Sequence, residues 1–175
     1  MKKATKRKGF TLVELLIVIV VIGILSAMMM LSSTEAVTSA RANNIVSNLR
    51  NLKTAALALY VDKLDDWESS EASKALPTIG DVTSYMGQSG ANDYSDYVLA
   101  FSETTKPIAD QKWYIVYNFG TGGDVARVKE KLAGRAKSTG LQQSSSKVTD
   151  GSKITLSDLT SSNYSNMNAV VMQIR

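Results

Sequence analysis

Cysteine and histidine are both missing from the 175 residues. Without cysteine there is no disulfide framework, no thiolate nucleophile and no sulfur-ligated metal. Without histidine the chain lacks the side chain best matched to proton transfer near neutral pH and the commonest metal ligand. Catalysis would fall to carboxylates, Ser, Thr, Tyr and Lys, and no paired nucleophile and base stands out among them. The expectation is a protein that is not an enzyme and holds neither cofactor nor metal. Proline is scarce: the first of two is Pro77, so none interrupts the chain from Phe10 to Leu76. That removes the commonest helix breaker. Aromatic residues are absent from Thr11 to Leu59, which excludes a ladder of rings along that stretch. Formal charge is absent from Leu15 to Thr34, twenty consecutive residues.

What fills that uncharged run is mostly Leu, Ile, Val, Ala and Met. As a helix rising about 1.5 Å per residue it spans roughly 30 Å, the thickness of a bilayer core. A helix buried in a soluble core rarely needs so many uncharged positions. Lys2, Lys3, Lys6, Arg7 and Lys8 stand directly before it. Such a basic block predicts a cytoplasmic N-terminus with the remainder across the membrane. The same five residues account for the net charge of +4, because all sixteen acidic residues follow Gly9 and only fifteen basic ones do. From Phe10 onward the charge is −1, so no nucleic-acid partner is indicated. An ordinary secretory signal peptide shares the basic and apolar regions. Its cut would follow the apolar run near Leu25-Ser26-Ala27, leaving a mature start at Met28.

The residues at the junction are Gly9-Phe10-Thr11-Leu12-Val13-Glu14, with Lys and Arg before and the apolar run after. This combination resembles the class III signal of the type IV pilin and type II secretion pseudopilin superfamily, over roughly the first 60 residues. The resemblance implies that a prepilin peptidase cuts between Gly9 and Phe10 and methylates the new amine of Phe10. Glycine suits such a site because, without a Cβ, it fits a narrow protease cleft and leaves a helical path easily. The resemblance also assigns Glu14 a role in filament assembly, through the Phe10 amine of a neighbouring subunit. A carboxylate in a transmembrane segment costs about 2.5–3.5 kcal/mol at the centre and less near its end, so it needs a partner, and its own chain offers a poor one. Related pilins often carry a proline near the end of the apolar run. Leu31 stands there here, and a continuous helix through Gly23 and Ser32-Ser33 is expected.

Beyond the apolar run, Ile45, Leu49, Leu52, Ala56 and Leu59 recur at spacings of three and four on one helical face, with Arg41, Asn44, Asn48 and Lys53 largely elsewhere. One helix is therefore expected from Phe10 to about Leu64. The cluster Asp62, Asp65, Asp66 and Glu68 then reads as a solvated helix end, since its spacing matches no oxygen-ligand calcium loop. A short helix over Gly80 to Met86 follows Pro77. Tyr97 to Phe101, Trp113 to Phe119, Ile154 to Leu156 and Ala169 to Ile174 read as strands, the second with one face more apolar than the other. Asp124 is placed to cap a helix carrying Val125, Val128 and Leu132 that ends near Gly134 or Gly140. Ser138 to Ser152, rich in Ser, Gln and Gly, reads as a mobile surface loop.

The fold class expected is α+β, a pilin fold: a long N-terminal helix, transmembrane in its first half, on an antiparallel sheet of about four strands. The divisions are a cleaved leader over 1–9, a membrane and filament-core half-helix over 10–34, and a globular domain over 35–175. Three other motifs carry little. Gly120-Thr121-Gly122-Gly123 lacks the lysine-serine ending of a phosphate loop and reads as a turn. Asn163-Tyr164-Ser165 fits a glycosylation triplet that also arises by chance. Asp93 and Asp96 sit in a polar loop, where solvated carboxylates are the default. What the resemblance implies is a structural subunit of a type IV pilus, with a secretion pseudopilin as the alternative. A membrane-anchored binding protein that never polymerises is a third reading, from a different class. Partners implied are further copies and other pilins, prepilin peptidase, and the assembly ATPase with its inner-membrane platform. The implied location is a bacterial inner membrane as a single-pass subunit, then an extracellular pilus or cell-envelope filament.

Overall fold

A computed structural model describes residues 9–68, 76–87, 94–103, 110–122, 124–158 and 164–175, with the side chains of residues 31, 32, 65, 66 and 68 outside that description. The chain divides into two units, Met1–Val37 and Thr38–Arg175. Helix α1, Leu12–Glu68, is unbroken through Gly23, Leu31 and the Ser32-Ser33 pair, as the missing proline predicts. In the first unit its apolar side chains cover no core: the large ones from Leu12 to Met30 are between 48% and 81% exposed.

In the second unit α1 becomes amphipathic. Ile45, Leu49, Leu52, Ala56 and Leu59 are all buried, joined by Ala42, Val46 and Ala55, while Arg41 and Asn44 lie open. The helix passes Leu64 and ends at Glu68 because one more core residue remains. Trp67 is buried with its ring 5.1 Å from that of Trp113, which also meets Tyr60 at 5.3 Å and Phe101 at 5.5 Å. Each such ring pair adds about 0.5–1.5 kcal/mol beyond its buried area. At the acidic end, Asp62 accepts a hydrogen bond from the Tyr85 hydroxyl, just after the short helix α2, Ile79–Ser84.

The sheet contains β1 (Tyr97–Phe101), β2 (Trp113–Asn118), β3 (Leu141–Ser144), β4 (Ser152–Lys153), β5 (Ser157–Asp158) and β6 (Ala169–Gln173), in the order β4-β1-β2-β6-β3-β5. All neighbours are antiparallel except β1 with β4. Of the four longer strands β1, β2 and β6 fall where strands were expected and β3 does not, and the two-residue strands β4 and β5 extend the sheet at its edges. The register aligns Leu99, Ile115, Met172 and Leu141 across the sheet, and these pack with the buried side chains of α1.

The second sheet face is not solvated. Ala100, Tyr114, Val116, Ala169 and Val171 form their own apolar cluster, closed by Val148 and Ile154. This corrects two expectations. The stretch Ser138 to Ser152 is no mobile loop: helix α3, Val125–Thr139, enters it, β3 pairs along β6, and Val148 is buried. Strand pairing and burial outweigh the low β-propensity of Ser and Gln. Ile154 to Leu156 is no strand but the link between β4 and β5, with the Ile154 amide donating to the Phe101 carbonyl at 3.0 Å.

Two side chains fasten this cover. The Asn118 amide donates to the Val148 carbonyl at 2.8 Å and accepts from the Val148 N–H at 3.0 Å, standing in for a strand neighbour. The Asp150 carboxylate accepts the Ile79 amide at 2.9 Å and the Leu99 amide at 2.8 Å, tying the start of α2 to β1. Helix α3 buries Val128, Leu132, Ala133 and Ala136, and runs through Gly134 to Gly140. There a φ of +66° closes it, with the Gly140 N–H on the Ala136 carbonyl at 2.9 Å. Asp124 does not cap α3 with its side chain; the carboxylate pairs with Arg41 at 3.3 Å instead. Residues 1–8, most of the expected leader, together with Asp93, Gly123 and Asn163 lie outside the described residues.

Candidate processing and assembly site

Gly9, Phe10 and Thr11 precede the first turn of α1 and are exposed, Phe10 at 89%. A Cβ built on Gly9 would meet nothing within 4 Å, and its φ is not left-handed. Nothing in this chain's own described structure therefore calls for glycine at position 9.

The helix starts at Leu12 because Thr11 and Glu14 satisfy each other. The Glu14 N–H donates to Thr11 Oγ1 at 3.3 Å, while the Thr11 N–H and hydroxyl both donate to Glu14 Oε2, at 2.8 and 2.9 Å. This is a reciprocal capping box, in which two orphan donors of a helix start find partners. The expectation that Glu14 has only a poor partner in its own chain is corrected here. The signal lay in the sequence: Thr11-Leu12-Val13-Glu14 has the Thr-x-x-Glu spacing of such a box. Only Oε2 is occupied, although an ionised carboxylate has about four acceptor positions. Glu14 Oε1 takes no hydrogen bond among the described residues. The site thus brings Thr11 and Glu14 together and leaves one carboxylate oxygen open beside the Phe10 segment.

Energetically, the apolar run tolerates this carboxylate. Ten Leu, Ile and Val residues lie between Leu15 and Leu25. At about 0.3–0.6 kcal/mol each they favour insertion by about 3–6 kcal/mol. That equals or exceeds the cost of a central carboxylate, about 3 kcal/mol, and Glu14 is at the end, where the cost is lower. Among the described residues α1 is the helix long and apolar enough to cross a membrane, and none of its most apolar window is buried inside the protein.

Residues 4–30 match the prokaryotic N-terminal methylation motif. Searches of curated proteins and of solved structures return no significant match to the chain. The motif is that of the class III signal peptide of type IV pilins and pseudopilins. It indicates a pilin-like or pseudopilin precursor of the kind processed by prepilin peptidase. The long apolar helix and the antiparallel sheet form a pilin-like α+β architecture, and helix and motif together fit a membrane-anchored precursor.

Proposed function

We propose that this chain is a structural subunit of a type IV pilus, cut between Gly9 and Phe10, methylated on the Phe10 amine and polymerised through α1. In this reading residues 1–9 are the leader, 10–34 the membrane and filament-core segment, and 35–175 the globular part. The subunit waits in a bacterial inner membrane until the assembly ATPase and its platform add it, beside other pilins, to an extracellular filament. One observation carries the proposal: a carboxylate with an unoccupied oxygen stands in the first turn of α1, at the head of the apolar, uncovered stretch up to Met30. The capping box uses Oε2 alone, and a mere anchor has no use for the second, open oxygen in its apolar segment. A cationic amine at about 4 Å in a medium of effective dielectric near 20 attracts it by roughly 4 kcal/mol. Cutting behind Gly9 creates such an amine on Phe10. Oε2 can keep the capping box while Oε1 receives the amine of a neighbouring subunit, so the local cap and the intermolecular pair do not compete. The open surroundings of Gly9 support a reading in which glycine is selected by the peptidase's cleft and not by this fold.

The test is mass spectrometry of the mature chain together with filament recovery from Glu14→Ala. A start at Phe10, with Glu14→Ala cut and retained in the membrane but poor in filaments, is the expected result. A start at Met28, or normal filaments from Glu14→Ala, overturns it. Negative-stain imaging of sheared surface material separates a pilus from the short envelope filament of a secretion pseudopilin.

A further inference from the structure

An open cleft of about 340 Å³ lies between the second half of α1, the β2 strand and α3, remote in sequence from the processing segment. Its walls are rings: Tyr117 stands 5.0 Å from Tyr97 and 5.2 Å from Phe119, the latter pair at 87° to each other, making an aromatic corner. Ile45 and Val128 add aliphatic lining. Two polar side chains of the lining are already engaged, Asn48 with the Tyr97 hydroxyl at 3.2 Å and Arg41 with Asp124 at 3.3 Å. Three are not: the Asn44 amide, the Asp96 carboxylate and the Tyr117 hydroxyl line the cleft with no hydrogen bond from their side chains among the described residues.

We propose that this cleft binds a neutral saccharide of one or two rings. The inventory decides the class. Asp96 accepts, Asn44 donates and accepts, and Tyr117 does both, the mixture that the hydroxyls of a polyol require. Burial raises the pKa of the Tyr117 hydroxyl, Asp96 adding to that and Arg41 opposing it, so the hydroxyl keeps its proton at neutral pH. An anion would face Asp96, and a cation would face Arg41. A purely apolar occupant would cover Asn44 and Asp96 and leave them unpaired, which is costly. A sugar ring presents C–H groups on its face and hydroxyls on its rim, and the half-buried ring of Tyr117, held edge-to-face by the buried Phe119, offers a surface for that face. The volume is at the small end of ligand pockets and suits a short saccharide rather than a long segment of peptide. This proposal stands apart from filament assembly, and its test reads binding alone.

The experiment uses the full chain in a nanodisc or a detergent without a sugar headgroup, with methyl glucoside, methyl galactoside and methyl N-acetylglucosaminide as probes in saturation-transfer NMR. Transfer to the ring protons of at least one glycoside is expected. Asn44→Ala and Asp96→Ala, both at exposed positions, should each weaken binding about threefold to tenfold. Tyr117→Leu, which keeps bulk without the ring, should reduce transfer to one face of the sugar. Arg50→Ala, outside the cleft, should change nothing. No transfer to any of the three glycosides overturns the proposal, as does transfer that Asn44→Ala and Asp96→Ala leave intact. Shifts of the cleft's Tyr resonances with inorganic phosphate or tetramethylammonium, but not with glycosides, would assign the cleft to an ion instead.

Discussion

Residues 12–30 and residues 38–175 use apolar side chains in opposite ways. In the first stretch they point outward on every side of a helix whose start is held by the Thr11–Glu14 box. In the second they are turned inward on both faces of a sheet, and the segment that brings Val148 into the core is tied down by Asn118 and Asp150. On the proposed function, the first region is completed by something outside the chain, lipid or another helix, whereas the second completes itself. Mutations should therefore separate into those that stop assembly without unfolding and those that unfold without stopping processing.

The strongest way to break that contrast is Trp113→Ala. Trp113 is fully buried and touches the rings of Tyr60, Trp67 and Phe101. Truncation should cost about 3–5 kcal/mol, a large share of the 5–15 kcal/mol that holds a typical domain. Denaturant unfolding followed by aromatic fluorescence should show it, while mass spectrometry still finds a chain starting at Phe10. Loss of trimming in Trp113→Ala would show that the two regions are not independent.

Asp150→Ala is a smaller test of the same kind. It leaves the Ile79 and Leu99 amides without their acceptor, at a cost of about 1–3 kcal/mol. Asp150→Asn keeps one acceptor oxygen and should recover part of that loss. Equal stability of wild type and Asp150→Ala in urea would show that water replaces the carboxylate and that the loop needs no such tie.

How far the sequence disclosed these two regions follows from the same contrast. The apolar helix was legible because its signal is local: length, absence of charge and absence of proline are all properties of one segment. The buried face from Ile45 to Leu59 was legible for the same reason, through its spacing. Trp67 was missed as a core residue because the acidic residues around it hid one apolar side chain whose partner, Trp113, lies 46 positions on. β3 was missed because Gln142, Gln143 and Ser144 are strand residues only by virtue of pairing with β6. The second apolar cluster needs Val148 and Ile154 folded over Val116, a long-range contact that no window along the chain contains. At the candidate site Glu14 was found from its isolation, whereas Thr11 was overlooked as its partner. Asp124 holds the N-cap position of α3 as expected, but its carboxylate meets Arg41 of α1 and not the helix amides, because a carboxylate before a helix is equally free to meet a cation.

Tyr97 sharpens the contrast through pH. Burial raises its pKa above the ordinary value, while the hydrogen bond from Asn48 works in the opposite direction. The unfolded chain then releases this proton near pH 10, before the folded chain does. The stability is thus full below about pH 10 and falls as pH rises through the folded-state value. Thermal melts should be insensitive to pH on this account up to about 10 and drop above it. Tyr97→Phe should flatten that drop and cost about 1 kcal/mol at neutral pH, from the lost Asn48 bond. An unchanged alkaline limb in Tyr97→Phe would transfer the effect to other tyrosines, Tyr117 first.

The smallest effect distinguishes the two duties of Glu14. Thr11→Ala removes the hydroxyl that caps the helix and donates to Oε2, and should cost about 0.5–1 kcal/mol of helix start, seen as fraying of the first turn in hydrogen exchange. It leaves the charge of Glu14 in place. Glu14→Gln does the reverse: its amide oxygen still accepts from Thr11, so the first turn survives, but the attraction to a cationic amine is gone. If the proposed pairing with Phe10 of a neighbouring subunit governs assembly, Glu14→Gln should enter filaments much more poorly than Thr11→Ala, although it disturbs its own helix less. If instead the helix start were what the filament selects, the order would invert, with Thr11→Ala the poorer subunit. Competition between each variant and the wild-type chain in one membrane, scored by the fraction recovered in sheared filaments, measures that order directly.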